Sequence, residues 1–194
     1  MAASPEPAHP ISRFAVPELA DMPDDIRAQI EAVQEKSGFV PNVFLALAAR
    51  PAEFRAFFAH HDALMDKSEG LSKAEREMIV VATSGVNDCL YCVVAHGAIL
   101  RIRARNPLLA DQLATNPRKA DLSEREQNIV AFALRMVNDS GSITDDDLDE
   151  MRNKGLTDDE IWDIGAITAF FAQSNRLANL TSMRPNDEFY SMAR

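Results

Sequence analysis

The sequence predicts an all-α fold, and three observations carry that expectation. Capping boxes, in which a hydroxyl residue precedes a Glu by three positions, occur at Ser72/Glu75, Ser123/Glu126 and Thr157/Glu160. Apolar residues recur at helical spacing, as at Ile26, Ile30 and Val33. No segment shows sustained apolar–polar alternation with hairpin turns, as strands require.

Residues 1–23 carry Pro5, Pro7, Pro10, Pro17 and Pro23 and are expected to form an extended arm with no core of its own. Residues 24–194 are expected to form a single all-helical domain. Its first helix runs from Asp24 to about Lys36 and is closed by Gly38 and Pro41. Asn42 is expected to cap a short helix through Ala49. Pro51 suits the first turn of a helix reaching about Lys67. The Ser72/Glu75 box opens a helix through about Val86. Within it, Ile79-Val80-Val81-Ala82 has the β-branched composition of a strand. The capping box and a length of roughly four turns favour helix. A helix follows from near Cys89, with Asp88 as the expected cap. A short one spans Pro107 to about Ala114. The Ser123/Glu126 box opens a helix to about Asn138. Thr144 caps one that Gly155 ends. The Thr157/Glu160 box opens the last, reaching about Met183.

Composition excludes several classes. With 194 residues and 46% hydrophobic content, the chain can bury a real core. A formal net charge of -10 argues against a nucleic-acid partner, because phosphate binding needs a basic surface. No apolar run approaches the roughly 18 residues of a membrane helix. The N-terminus has no signal-peptide pattern, so a cytoplasmic location is expected, where thiols stay reduced. Two cysteines cannot build a disulfide framework or an all-cysteine metal site.

Both cysteines fall in one window. Cys89, Cys92 and His96 stand at i, i+3 and i+7, on one face of a helix. Glu77 lies twelve residues before Cys89, about 18 Å along a straight helix. Ser84 to Asp88 reads as a helix end and a turn, however, so the two helices should fold back as a hairpin. Glu77 and His96, about equally far from that turn, should then face each other. The grouping suits redox work. A thiolate is the reactive form, a helix N-terminus stabilises it, and His96 oriented by Glu77 can relay its proton. The second Cys can close a disulfide after sulfenic acid forms.

The pattern Glu77, Cys89, Cys92, His96 resembles the signature of the alkyl hydroperoxidase D-like group within the carboxymuconolactone decarboxylase superfamily. The stretches Cys89-Leu90-Tyr91-Cys92-Val93-Val94-Ala95-His96-Gly97 and Ser37-Gly38-Phe39-Val40-Pro41-Asn42-Val43 are similar to its peroxidase-related branch. The resemblance implies a compact helical bundle, a homo-oligomer, and antioxidant peroxidase activity with a dithiol or lipoyl-type reductant. It calls for no cofactor. It implies that Cys92 is the peroxidatic thiol, Cys89 its disulfide partner and proton donor, and Glu77 and His96 the relay. The family's decarboxylases lack the Cys pair, which speaks against lactone decarboxylation. The hydroperoxidase has a histidine where this chain has Tyr91, and a phenol with pKa near 10 is a poorer shuttle at neutral pH.

Other readings of the same residues stand beside this one. The Cys pair without fast turnover would make a redox sensor or binding protein. Two buried thiols can also be purely structural. Cys89, Cys92 and His96 with His60 or His61 would supply four zinc ligands, although i, i+3 cysteines fit a closed tetrahedral site poorly. Tyr91, His60 and His61 are candidates to line the site. Trp162, Phe170 and Phe171 are expected in the core, and Asn175 and Arg176 in structural roles. Arg101, Arg103 and Arg105 are expected on an interface or a solvated face.

Overall fold

The computed structural model describes residues 10–194, so the first nine residues of the expected arm lie outside it. Residues 10–23 contain a single 3-10 turn, Leu19–Asp21. They run along the chain's own surface: Arg13 N–H donates to the Thr181 carbonyl at 2.8 Å, and Met22 is buried.

Ten α-helices follow among the described residues, with no strand. They are α1 (Asp24–Ser37), α2 (Asn42–Ala48), α3 (Pro51–Met65), α4 (Lys73–Val86), α5 (Leu90–Ala104), α6 (Leu109–Thr115), α7 (Glu124–Asp139), α8 (Asp145–Asn153), α9 (Asp158–Thr181) and α10 (Asp187–Ser191). All three expected capping boxes are formed. Gly38 ends α1 at φ 84, a left-handed conformation that costs glycine little.

Helix α4 is the axis of the bundle. It packs against α5, α6, α7 and α9, and every residue from Glu75 to Ser84 is buried. That accounts for the strand-like composition at Ile79–Ala82: a helix covered on all sides is apolar all round, with no polar stripe. Its end approaches α6 closely, since a Cβ on Gly85 would meet the Ala114 carbonyl oxygen at 3.2 Å.

Three local expectations are corrected. Asn42 does not cap α2; Pro41 holds the N-cap position, and the Asn42 side chain instead donates to the Arg184 carbonyl. Asp88 does not cap α5. It adopts φ 52, and Cys89 is the N-cap, its sulfur accepting the Cys92 backbone N–H. Trp162 is not a core residue. It is 75% exposed on α9, at the edge of an apolar cleft with Phe132, Met136 and Leu148. Phe170 and Phe171, on inward-facing positions of the same helix, are buried as expected.

Two arginines tie helix ends together. Arg76, fully buried, donates to the carbonyls of Leu64, Glu69 and Leu71 and to Asp163 Oδ2 at 2.9 Å. Arg125 of α7 joins Glu75 at 2.7 Å and Glu160 at 2.5 Å, the third residues of the α4 and α9 capping boxes.

Candidate active site

The α4–α5 hairpin brings together what the spacing pairs. Glu77 Oε2 lies 2.8 Å from His96 Nδ1, and both side chains are about nine-tenths buried. With the carboxylate ionised, Nδ1–H donates to it and Nε2 is left for other partners. The His96 ring meets the edge of Phe171 at 4.7 Å between centroids, which fixes its plane.

The hairpin works because the chain reverses between Val86 and Leu90. Asn87 N–H donates to the Thr83 carbonyl, and Cys89 N–H to the Ser84 carbonyl at 3.0 Å. Cys89 thereby becomes the first residue of α5's N-terminal turn, and Cys92 follows within that turn. Their sulfurs lie 2.6 Å apart. Both residues are only 1% exposed, in an apolar cluster with Val43, Ala178, Met183 and Phe189.

The two thiols are not equivalent. The contact with the Cys92 sulfur holds Cys89 below the ordinary thiol range against the opposing effect of burial. The Cys92 backbone N–H, Asn175 and the charge of His96 act in the same direction. Cys92 is pushed up, first by its contact with the Cys89 sulfur and second by burial.

Tyr91 points elsewhere. Its hydroxyl accepts the Val43 N–H at 3.2 Å, and burial raises its pKa, so it braces α2 against α5 and holds its proton. His61 is half-buried beside Asp62, its ring 6.4 Å from that of His96. His60 is exposed and lines a separate cleft of about 210 Å³ with Phe57 and Phe170. Among the described residues no group of three or more His, Cys, Asp or Glu is arranged to hold a metal ion.

Two contributors escape the motif. Asn175 of α9 is fully buried. Its Nδ2 donates to Ser84 Oγ at 2.9 Å, and its Oδ1 accepts from Asn87 Nδ2 at 2.9 Å. The sequence signal is an amide in a helix of mostly apolar residues. The other is Arg101, which is not solvated. It is 4% exposed and donates to the Phe189 and Met192 carbonyls, holding α10 over the thiols.

Comparison with known proteins follows the same lines. Residues 51–107, which contain the hairpin, match the carboxymuconolactone decarboxylase family model. A crystal structure of an alkylhydroperoxidase AhpD core, an uncharacterized peroxidase-related protein from Ralstonia eutropha, is 62% identical. The match covers 96% of this chain and 98% of that one, with a TM-score of 0.94. An uncharacterized peroxidase-related protein from a Silicibacter species is 40% identical over 95% of this chain and 96% of that one, with a TM-score of 0.90. The debrominase Bmp8 shares the fold at 18% identity, with 92% of this chain and 94% of that one covered and a TM-score of 0.75. No curated protein matches this chain.

Proposed function

Because the chain belongs to the carboxymuconolactone decarboxylase family, in its alkylhydroperoxidase D-like group, we propose that it is a dithiol peroxidase. Cys89 and Cys92 form the redox pair, and Glu77 and His96 form the proton relay. The observation that carries this reading is the 2.8 Å Glu77–His96 pair beside two sulfurs in contact. A thiol that reduces peroxides needs a charged sulfur, a proton donor for the leaving oxygen and a second thiol to close the cycle. The four residues supply those parts. The reductant is an external dithiol, the working unit a homo-oligomer, and the compartment the cytoplasm. No helix among the described residues is long and apolar enough to cross a membrane.

The test is peroxide consumption with hydrogen peroxide and an organic hydroperoxide under a dithiol reductant. Wild type should turn over, and Cys89→Ser and Cys92→Ser should not. Intact mass after peroxide treatment should show the loss of two hydrogens in wild type alone. Consumption independent of both cysteines would overturn the reading.

The burial of both sulfurs favours one second reading, a redox sensor that oxidises once and slowly. It predicts the same mass change without multiple turnover.

A further inference from the structure

We propose that the segment Asp187–Arg194 is a lid over the Cys89–Cys92 pair, that Arg101 is its latch, and that the lid opens to let an external dithiol reach the sulfurs. The last clause rests on the dithiol peroxidase reading; the lid itself does not.

Burial creates the need for an opening. Both cysteines are only 1% exposed. A reductant must bring its own sulfur into contact with one of theirs. Its first thiolate attacks one sulfur of the oxidised pair, the S–S bond breaks, and a mixed disulfide forms. Its second thiolate displaces that sulfur. The reductant leaves oxidised, and each cysteine takes up a proton. Neither attack passes through a closed apolar cover.

Three parts of the chain make that cover. The cluster around the thiols holds Phe39 and Val43, before and within α2, Ala178 and Met183 at the end of α9, and Phe189 and Met192 at α10. Helix α2 is packed against α3, and α9 against α4 and α7. Helix α10 has five residues, too few to be stable alone, and rests on α5. It is the part that can lift at least cost to the rest. Its seam with the neighbouring cover is the Phe189 ring, edge-on to Phe39 at 5.0 Å between centroids.

The ties differ at the two ends of the segment. Just ahead of α10, Asn186 accepts the Asn42 N–H at 2.8 Å and donates to the Val40 carbonyl at 2.9 Å, while Asn42 donates to the Arg184 carbonyl at 2.8 Å. These bonds anchor the pivot. Beyond it, guanidinium groups hold the lid down. Arg101 donates to the Phe189 carbonyl at 2.7 Å and to the Met192 carbonyl at 2.9 Å. Arg194 meets both oxygens of Asp111, at 2.9 and 3.1 Å, with both side chains about half exposed. Ala193 stands at φ 54, a left-handed conformation that a Cβ makes costly, so closure is held against backbone strain.

Arg101 suits a latch that lets go. It is 4% exposed, and both of its hydrogen bonds end on carbonyls of the lid. When the lid lifts, water replaces those carbonyls, so the cation is not left buried without partners. Arg76 has no such freedom, because its acceptors lie on α3, on the loop before α4 and on α9.

Alkylation of the reduced full chain by N-ethylmaleimide, read by intact mass in urea well below the unfolding midpoint, tests the lid without peroxide. Lifting so short a segment exposes little surface, so the wild-type rate should be nearly flat in urea. A rate that follows the slope of global unfolding down to zero urea overturns the lid. Arg101→Gln, short of two charge-assisted bonds, should be labelled at least about tenfold faster. An unchanged rate overturns the latch. If that variant does not fold, Arg194→Ala decides, at a side chain 49% exposed. It should be labelled about threefold faster, and an unchanged rate overturns the lid. With the disulfide formed by diamide, dithiothreitol should reduce Arg101→Gln faster than wild type by the factor seen in alkylation. Equal reduction rates overturn the gating of the reductant. Failure of peroxide to oxidise the pair would remove the peroxidase reading and leave the alkylation result standing.

Discussion

Arg76 and Glu77 sit side by side on α4, both charged and both buried, and they turn to different neighbours. Arg76 meets three carbonyl oxygens and Asp163, and Lys67 reaches the other oxygen of that carboxylate at 2.7 Å. Every partner is fixed in place. Glu77 meets His96, whose ring nitrogens can each donate or accept a proton, beside two thiols in contact. A buried charge saturated by permanent partners fastens helices. A buried charge paired with a titratable group is equipped to pass a proton.

The sharpest way to break this contrast is Arg76→Met. It leaves Asp163, whose side chain is 3% exposed, with Lys67 as its one remaining charged partner, and leaves three carbonyls without their donor. We expect a loss of about 3–5 kcal/mol, read by urea unfolding. A loss below about 1 kcal/mol would mean that the loop before α4 repacks freely. Glu77→Gln should do the reverse: melting temperature nearly unchanged, peroxide-driven disulfide formation slowed by about a hundredfold. An unchanged rate would make the Glu77–His96 pair another fastener.

Arg125 tests an intermediate case, because its side chain is 39% exposed. Burial alone would raise the Glu160 pKa, but the Thr157 N–H and Arg125 outweigh it and hold the carboxyl below its ordinary 4.5. A group depressed on folding stabilises above its unfolded pKa, and that contribution is lost as pH falls through the folded value. Arg125→Ala should therefore cost about 1 kcal/mol at pH 7, with solvent screening keeping the figure small. The gap from wild type should close as pH falls below 4.5 and through the lowered folded-state value. A gap constant with pH would put the effect in packing. Lys67→Ala should matter least, at about 0.5 kcal/mol, because its ammonium is half exposed and Arg76 stays on Asp163.

How far the sequence reached depends on the range of each interaction. The capping boxes were legible because each closes within four residues, and all three formed. The Glu77–His96 encounter was legible because one hairpin relates them, so counting from the turn suffices. Asn175 was not, because only the docking of α9 onto the α4–α5 turn brings its amide to Ser84 and Asn87. Trp162 misled for a related reason. Its residue type indicates burial, but its side of α9 faces outward. The shift of the α5 cap from Asp88 to Cys89 is a matter of one residue's backbone. With Asp88 at φ 52, the next residue, and with it a sulfur, takes the capping position.

The arginine that joins two capping boxes also bears on the order of events in folding. Arg125 binds carboxylates at residues 75 and 160, so its bonds complete only after α4, α7 and α9 have met. Contacts made that late are absent from the folding barrier and present in the native state. Their removal changes how fast the chain comes apart and leaves how fast it assembles. In a chevron plot, Arg125→Ala should lift the unfolding arm and leave the folding arm where it was. A slowed folding arm would instead place the meeting of the three helix ends in the nucleus, making this end of the bundle the first to take shape.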